Sequence, residues 1–313
     1  MRDELQQVES KLAQLLDSNE ALISEICHYL VDGGGKRLRP LFILLVYRAC
    51  GGPDSHIEDA IDAAIALELI HSATLLHDDI IDTGMLRRGK PSAYARYGQA
   101  ASLVAGDYLF CRAFELCGRF DERLVRTAAR ACLQLTEGEV MEGRMRHHTA
   151  ATLDDYLAVI TRKTASLFGA GGRVAADLAG ATSAVIDAME QLGLALGRAF
   201  QMVDDVLDIV GPEEKIGKPT GSDLRAGVLS LPVVIGMRET AELRGLFANG
   251  ATRNESELNR ALELAGRPSV LREARSLAAE QIARARNLLS TVGQSVFRDN
   301  LQLLIDDQLN RDS

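Results

Sequence analysis

The chain has 313 residues, 47% hydrophobic and 25% charged, with a net charge of -9. A composition of this kind is globular and can bury a sizeable core, and no proline-rich, serine-rich or low-complexity stretch marks a linker, so one domain over residues 1–313 is expected. The excess of acid excludes a nucleic-acid partner as the main reading, because such binding depends on neutralising phosphates.

The longest strongly apolar run, residues 41–47, is far short of the roughly 20 residues that span a bilayer. The first ten residues carry Arg2, Asp3, Glu4 and Glu9 in place of an apolar leader. No transmembrane segment and a cytoplasmic location are therefore expected. The five cysteines, Cys27, Cys50, Cys111, Cys117 and Cys132, are scattered, odd in number and without a CxxC pair, which speaks against disulfides or a zinc site.

In chain order, the helical period first shows at residues 5–16. The segment DGGGKRLRP (residues 32–40) then sets Lys36, Arg37 and Arg39 after a glycine run and before an apolar helix. This reads as a loop feeding a helix N-terminus, where amides and cations favour an anion, while the GxxxxGK[ST] pattern of a P-loop is missing. After Gly51, Gly52 and Pro53, apolar residues at three- and four-residue intervals predict a core helix over 60–81, about 35 Å with the following residue. It closes on HDDIID (residues 77–82), with Asp78 and Asp82 one turn apart on one face.

A second cationic patch, RRGKP (residues 87–91), follows, then a predicted helix over 103–116. Arg119, Arg123, Arg126 and Arg130 recur at helical spacing and read as a solvated stripe. The predicted helix over 184–209 ends on DDVLD (residues 204–208), repeating the first acidic spacing. Glycines and two prolines punctuate residues 211–221, and a last strong helical pattern covers 270–289. Strand-like alternation is scarce, so the fold class is all-α.

A single DDxxD at a helix end reads as a solvated cap. Two at identical spacing, each ending an apolar helix, point elsewhere. So many carboxylates beside Ile, Val and Leu need compensating cations, and an all-oxygen donor set suits a hard ion such as magnesium, which binds through one or two carboxylates plus substrate phosphates. A diphosphate held by both clusters follows.

The stretches GGGKRLRP, ELIHSATLLHDDIIDTGMLRRGKPS, RKTASLF and QMVDDVLDIVGPEEKIGKPTGSDLRAG, over roughly residues 33–232, together resemble the trans-isoprenyl (polyprenyl) diphosphate synthases of medium- or long-chain type. The resemblance implies an isoprenoid-synthase helical bundle around a central cavity, acting as a homodimer. It implies that Asp78, Asp82 and Asp204 hold Mg2+ on an allylic diphosphate such as farnesyl diphosphate, with Asp79, Asp205 and Asp208 supporting. By the same resemblance, Lys36, Arg39, His71 and Arg88 hold isopentenyl diphosphate, and Arg87, Lys163, Thr164, Gln201 and Lys218 hold the allylic diphosphate. One departure is Val228, where members commonly carry lysine.

The expected reaction breaks the allylic C–O bond, lets isopentenyl diphosphate attack the resulting cation, and passes the lost proton to the departed diphosphate. Ile70, Ala73 and Thr74 precede Asp78 by one or two turns and are modest in size, which favours a product longer than farnesyl. The alternatives are a short-chain (farnesyl or geranylgeranyl) synthase or the catalytic subunit of a heteromeric one. A terpene cyclase is disfavoured by the absence of tryptophan and an aromatic content of 4%, since cyclases line their cavities with aromatic faces.

Overall fold

In the computed structural model the described residues are 1–35, 37–211, 220–248 and 254–310. They run through α1 (Arg2–Leu15), α2 (Ala21–Asp32), α3 (Leu38–Ala49) and α4 (Ile57–Ile81) to a hairpin of β1 (Leu86–Arg87) and β2 (Lys90–Pro91). Next come α5 (Ala93–Tyr97), α6 (Gln99–Cys117), α7 (Glu122–Met145) and α8 (Leu153–Ile160), which passes through a π turn (Thr161–Ala165) into α9 (Ser166–Leu178). Then follow α10 (Ser183–Val210), α11 (Ser222–Arg225), α12 (Leu231–Glu239), α13 (Ala241–Ala248), α14 (Glu255–Ala265), α15 (Pro268–Leu289) and α16 (Val296–Asp307). The fold is all-α, and the helices predicted over 5–16, 60–81, 103–116, 184–209 and 270–289 are all present, each within a few residues of its predicted ends.

Contacts divide the chain into two compact units. The first comprises Met1–Cys132, Leu167–Gln191 and Leu288–Leu303, and the second Leu133–Ser166, Leu192–Asn287 and Leu304–Ser313.

The first unit is organised by α4. Glu58 and Asp59 in its first turn suit the positive end of a helix, and from Ala60 to Ile70 every side chain is buried. A helix apolar on all sides belongs in a core. The stretch Asp54–Ile81 is long and apolar enough by composition to cross a membrane although Asp62 and Glu68 break its apolar run, and 83% of its most apolar part is buried within the protein. Helices α1, α3 and α6 pack on it.

The two carboxylates buried in its middle, Asp62 and Glu68, are paired, as burial requires. Asp62 accepts from Lys11 at 2.8 Å and from Arg119, which also reaches Asp59 at 2.7 Å. Glu68 faces Arg37 at 3.5 Å, and Arg37 bonds Glu9 at 2.6 Å from a left-handed backbone (φ 46°) just before α3. Arg119, read from the sequence as part of a solvated stripe, is thus a strut of the core helix, and Arg123 reaches Asp177 at 2.9 Å.

In the second unit, Tyr156, Met202, Val206, Leu231, Phe247 and Ala278 share one buried cluster. Helix α12 starts at Leu231 with Pro232 in its first turn, where the missing N–H costs nothing.

Glycine decides how closely α6 approaches α4. A Cβ at Gly106 would lie 2.3 Å from Nε2 of His77, whose ring stacks on Phe110 and whose Nε2 lies 3.2 Å from the Leu103 carbonyl. Gly106→Ala is expected to lower stability by about 1–3 kcal/mol, the range for overpacking a filled contact. Urea titration of the variant beside the wild type measures it.

Candidate active site

The first acidic cluster sits where α4 runs out. The Asp82 amide closes the last turn on the Asp78 carbonyl at 2.9 Å, Thr83 turns left-handed (φ 50°), and the Gly84 amide bonds the Asp79 carbonyl at 2.8 Å. This end leaves Asp82 exposed and Asp78 half-buried, while Asp79 is 3% exposed and turned into the protein. There Nε of Arg87 donates to both Asp79 oxygens, at 2.9 and 3.0 Å, and Nη2 lies 2.8 Å from Oδ1. Burial pushes the Asp79 carboxyl up and Arg87 opposes it. Arg87, expected to grip the allylic diphosphate, therefore already spends part of its planar fork on Asp79.

The hairpin that presents Arg87 turns at Arg88 and Gly89, both left-handed (φ 51° and 72°), the geometry a two-residue hairpin turn requires. A bulky residue at φ > 0 is strained, so Arg88 occupies a position better suited to Gly, Asn or Asp. Such strain is found where a side chain is needed. The glycine run lies close by: a Cβ at Gly35 would be 3.5 Å from Nη2 of Arg88.

On α4, His71 stands two turns before Asp78. Its pKa is held well below the usual 6.5, first by burial and then by the surrounding charges of Arg39, Arg87, Arg88 and Arg37. The guanidinium of Arg39 lies 4.9 Å over the Phe168 ring, which fixes its plane. Arg39, His71 and Arg88 are thus brought into one basic cluster around a neutral imidazole. Lys36 and Lys218 lie outside the described residues.

The second acidic cluster closes α10 in a comparable way. Asp204 is half-buried, whereas Asp205 and Asp208 are 3% and 1% exposed. Asp205 accepts from the Tyr156 hydroxyl at 2.8 Å, from Nε2 of Gln201 at 2.9 Å and from the first amide of α12, on Leu231, at 2.8 Å. Burial pushes its carboxyl up to about 8, with nearby Asp223 adding to the rise and the three donors opposing it. Asp208 accepts from Ser222 Oγ at 2.7 Å and from the Asp223 amide at 3.2 Å.

Gln201 continues the chain of bonds, since its Oε1 accepts from Thr164 Oγ1 at 2.9 Å. Beside Thr164 in the π turn, Lys163 lies 2.7 Å from Oε2 of Glu139 and also bonds Glu142. Tyr156, Ser222, Glu139 and Glu142 were not anticipated from the sequence. Nothing local to Tyr156 marks it as a partner of Asp205, 49 positions away; the three-residue spacing of Glu139 and Glu142 was the one available signal for that pair. Val228 makes a backbone bond to the Asp223 carbonyl at 2.8 Å.

The donor chemistry fits a hard divalent cation. Asp78, Asp82 and Asp204 are oxygen donors with access to solvent, and among the described residues no three His, Cys, Asp or Glu side chains converge into a ready-made metal cage. That combination suits an ion that completes its shell with phosphate and water oxygens.

The polyprenyl synthetase family model matches residues 20–265. The chain is 34% identical over 310 residues to the nonaprenyl diphosphate synthase of Mycobacterium tuberculosis, covering 96% of this chain and 92% of that protein. It is 37% identical over 236 residues to the geranylgeranyl diphosphate synthase of Methanosarcina mazei, covering 73% of this chain and 72% of that one. Among solved structures, the polyprenyl synthase from Caulobacter crescentus, complexed with calcium and isoprenyl diphosphate, superposes with a TM-score of 0.94 at 34% identity, covering 100% of this chain and 96% of that one. The chain therefore belongs to the polyprenyl synthetase family, with the isoprenyl-synthase all-α fold. It is an enzyme of the prenyltransferase class.

His71 gives the first unit a pH dependence. Because its pKa is lower folded than unfolded, the folded protein binds fewer protons between the two values, so stability falls as pH drops below about 6.5. His71→Gln is expected to flatten this part of the profile, read from urea midpoints of variant and wild type between about pH 5 and pH 7.

Proposed function

We propose that this prenyltransferase adds isopentenyl diphosphate repeatedly to an allylic diphosphate such as farnesyl diphosphate, and releases a linear polyprenyl diphosphate longer than farnesyl, of about octaprenyl length, from a single synthase domain. The observation that carries this reading is the division of labour within the acidic clusters. Asp79, Asp205 and Asp208 are buried and accept protein donors, while Asp78, Asp82 and Asp204 retain access to solvent. The first three then support, and the second three hold magnesium and, through it, the allylic diphosphate. The calcium and isoprenyl diphosphate in the Caulobacter relative support a divalent ion at this chemistry.

In the mechanism, bound magnesium would supply neutralising charge as the allylic C–O bond breaks and its electron pair leaves with the diphosphate. Lys163, Thr164 and Gln201 hold that leaving group, with Lys218 and Arg87 completing the set. Arg39 and Arg88, with Lys36, hold the diphosphate of isopentenyl diphosphate. His71 joins them as a neutral donor, which adds a hydrogen bond without another cation. The alkene carbon then bonds to the allylic carbon, and the proton released restores a double bond and leaves with the departed diphosphate.

The length of the product is set by Ile70, Ala73 and Thr74, which are buried on α4 at 1%, 0% and 8% exposure. Small side chains there leave room for a growing chain. The nonaprenyl relative supports the longer product; the geranylgeranyl relative, matched over less of the chain, favours a shorter one. A homodimer is supported by Leu103, Val104 and Phe114, exposed at 45%, 52% and 51% on α6. Five unbridged cysteines support a cytoplasmic setting.

Incubation with farnesyl diphosphate, labelled isopentenyl diphosphate and magnesium is expected to yield products longer than farnesyl on sizing by chromatography; an absence of elongation defeats the reading. In the same assay Asp78→Ala is expected to lose on the order of 100-fold or more in turnover with its circular dichroism unchanged. Near-normal turnover would refute a metal role for Asp78. Ala73→Phe is expected to shorten the product, and an unchanged length distribution would remove Ala73 from the pocket floor.

A further inference from the structure

Helix α7 comes against the π turn at Gly138. A Cβ there would lie 2.5 Å from the Lys163 amide nitrogen and 2.9 Å from Cβ of Arg162, so only glycine lets the two backbones meet. Glu139 and Glu142 follow on α7, three residues apart and therefore on one face. Both meet the Lys163 ammonium, Glu139 Oε2 at 2.7 Å and Glu142 as a hydrogen-bond acceptor. Each carboxylate is 15% exposed and the lysine 21%, so water screens the trio only in part.

Lys163 and Thr164 both lie in the π turn, a form that recurs at functional sites. Thr164 donates to Gln201, while Thr161 accepts from Nε of Arg198 at 2.8 Å, which ties the start of the turn to α10.

We propose that Glu142, together with Glu139, tunes how tightly the allylic diphosphate is held, by competing with it for Lys163. This rests on the assignment of Lys163 to that diphosphate. The ammonium sits against two carboxylates, so an arriving diphosphate must draw Lys163 from at least one of these glutamates. An ammonium has three donors and no acceptor, so it can keep one carboxylate while bonding a phosphate oxygen. Repeated elongation gives this competition a purpose. After each addition the lengthened chain must be reseated at the allylic position, and a diphosphate held too tightly on the ground-state side slows that exchange. Glu142 is a positioning residue acting through Lys163, not a group that touches the reacting carbons.

Steady-state constants for farnesyl diphosphate and for isopentenyl diphosphate, with magnesium saturating, test this on the full-length wild type, Glu142→Gln, Lys163→Met and the double variant. Glu142→Gln is expected to lower the KM for farnesyl diphosphate roughly threefold to tenfold, the worth of one partly screened charge pair, and to leave that for isopentenyl diphosphate unchanged. Lys163→Met is expected to raise the farnesyl diphosphate KM, and the double variant to match Lys163→Met, because the proposed competition runs through the lysine. An unchanged farnesyl diphosphate KM in Glu142→Gln, or a gain that survives in the double variant, overturns the proposal. An unchanged value in Lys163→Met overturns it too, and removes Lys163 from the allylic site while elongation by the wild type still stands. Should Glu142→Gln fail to fold, Glu139→Gln removes the other carboxylate and is expected to shift the same constant in the same direction.

Discussion

A carboxylate buried in a protein must be given donors, and the structure around both acidic clusters follows from that requirement. Asp79 and Asp205 are each 3% exposed. Burial costs either charge several kcal/mol without donors, and at Asp205 it still lifts the carboxyl to about 8 against three of them. Asp79 is answered by a single guanidinium on a short hairpin, and Asp205 by a phenol, an amide side chain and the first amide of a helix. Each solution draws in a distinct piece of chain and thereby fixes where the other aspartates of its cluster stand.

The two solutions differ in what they bring with them. Arg87 comes on a hairpin whose tight turn forces Arg88 into a left-handed backbone, so anchoring Asp79 also delivers a second cation beside Arg39 and His71. The result is a basic cluster whose centre is a neutral imidazole. Had His71 been protonated among four guanidiniums, the repulsion would have to be met by a bound anion at all times. Around Asp205 the bonds run instead along Gln201 to Thr164, so the second cluster is coupled to the π turn that carries Lys163.

Basic groups near both clusters are already engaged before any anion arrives. Arg87 bonds Asp79, and Lys163 bonds Glu142 and pairs with Glu139. An enzyme that must grip a diphosphate, let it leave and bind its successor gains from cations that have somewhere else to go, because only binding that is stronger in the transition state accelerates the chemistry. The glutamates beside Lys163 belong with the aspartates in any account of the site, although they hold no metal in the proposed mechanism.

Much of this was legible in the residue order. The 3.6-residue period located α1, α4, α6, α10 and α15 but not the 24-residue α7, and the two acidic clusters and the basic segments 36–39 and 87–90 identified the family, because these signals are local: a helix face, a helix end and a run of cations need only neighbours within a few positions. The resemblance also implied two roles for the aspartates, supporting and metal-holding, with no physical reason attached. What the tertiary structure added is a difference in burial within each cluster and the partners of the buried members, since Tyr156 and Leu231 reach Asp205 across 49 and 26 positions of chain, and no local pattern encodes such a pairing. It also decided that Arg119 braces α4, that Arg87 answers Asp79, and that Glu139 and Glu142 hold Lys163. Each of these is a choice of partner for a charge that the sequence announces but whose surroundings, and therefore whose cost of burial, exist only once the helices have packed.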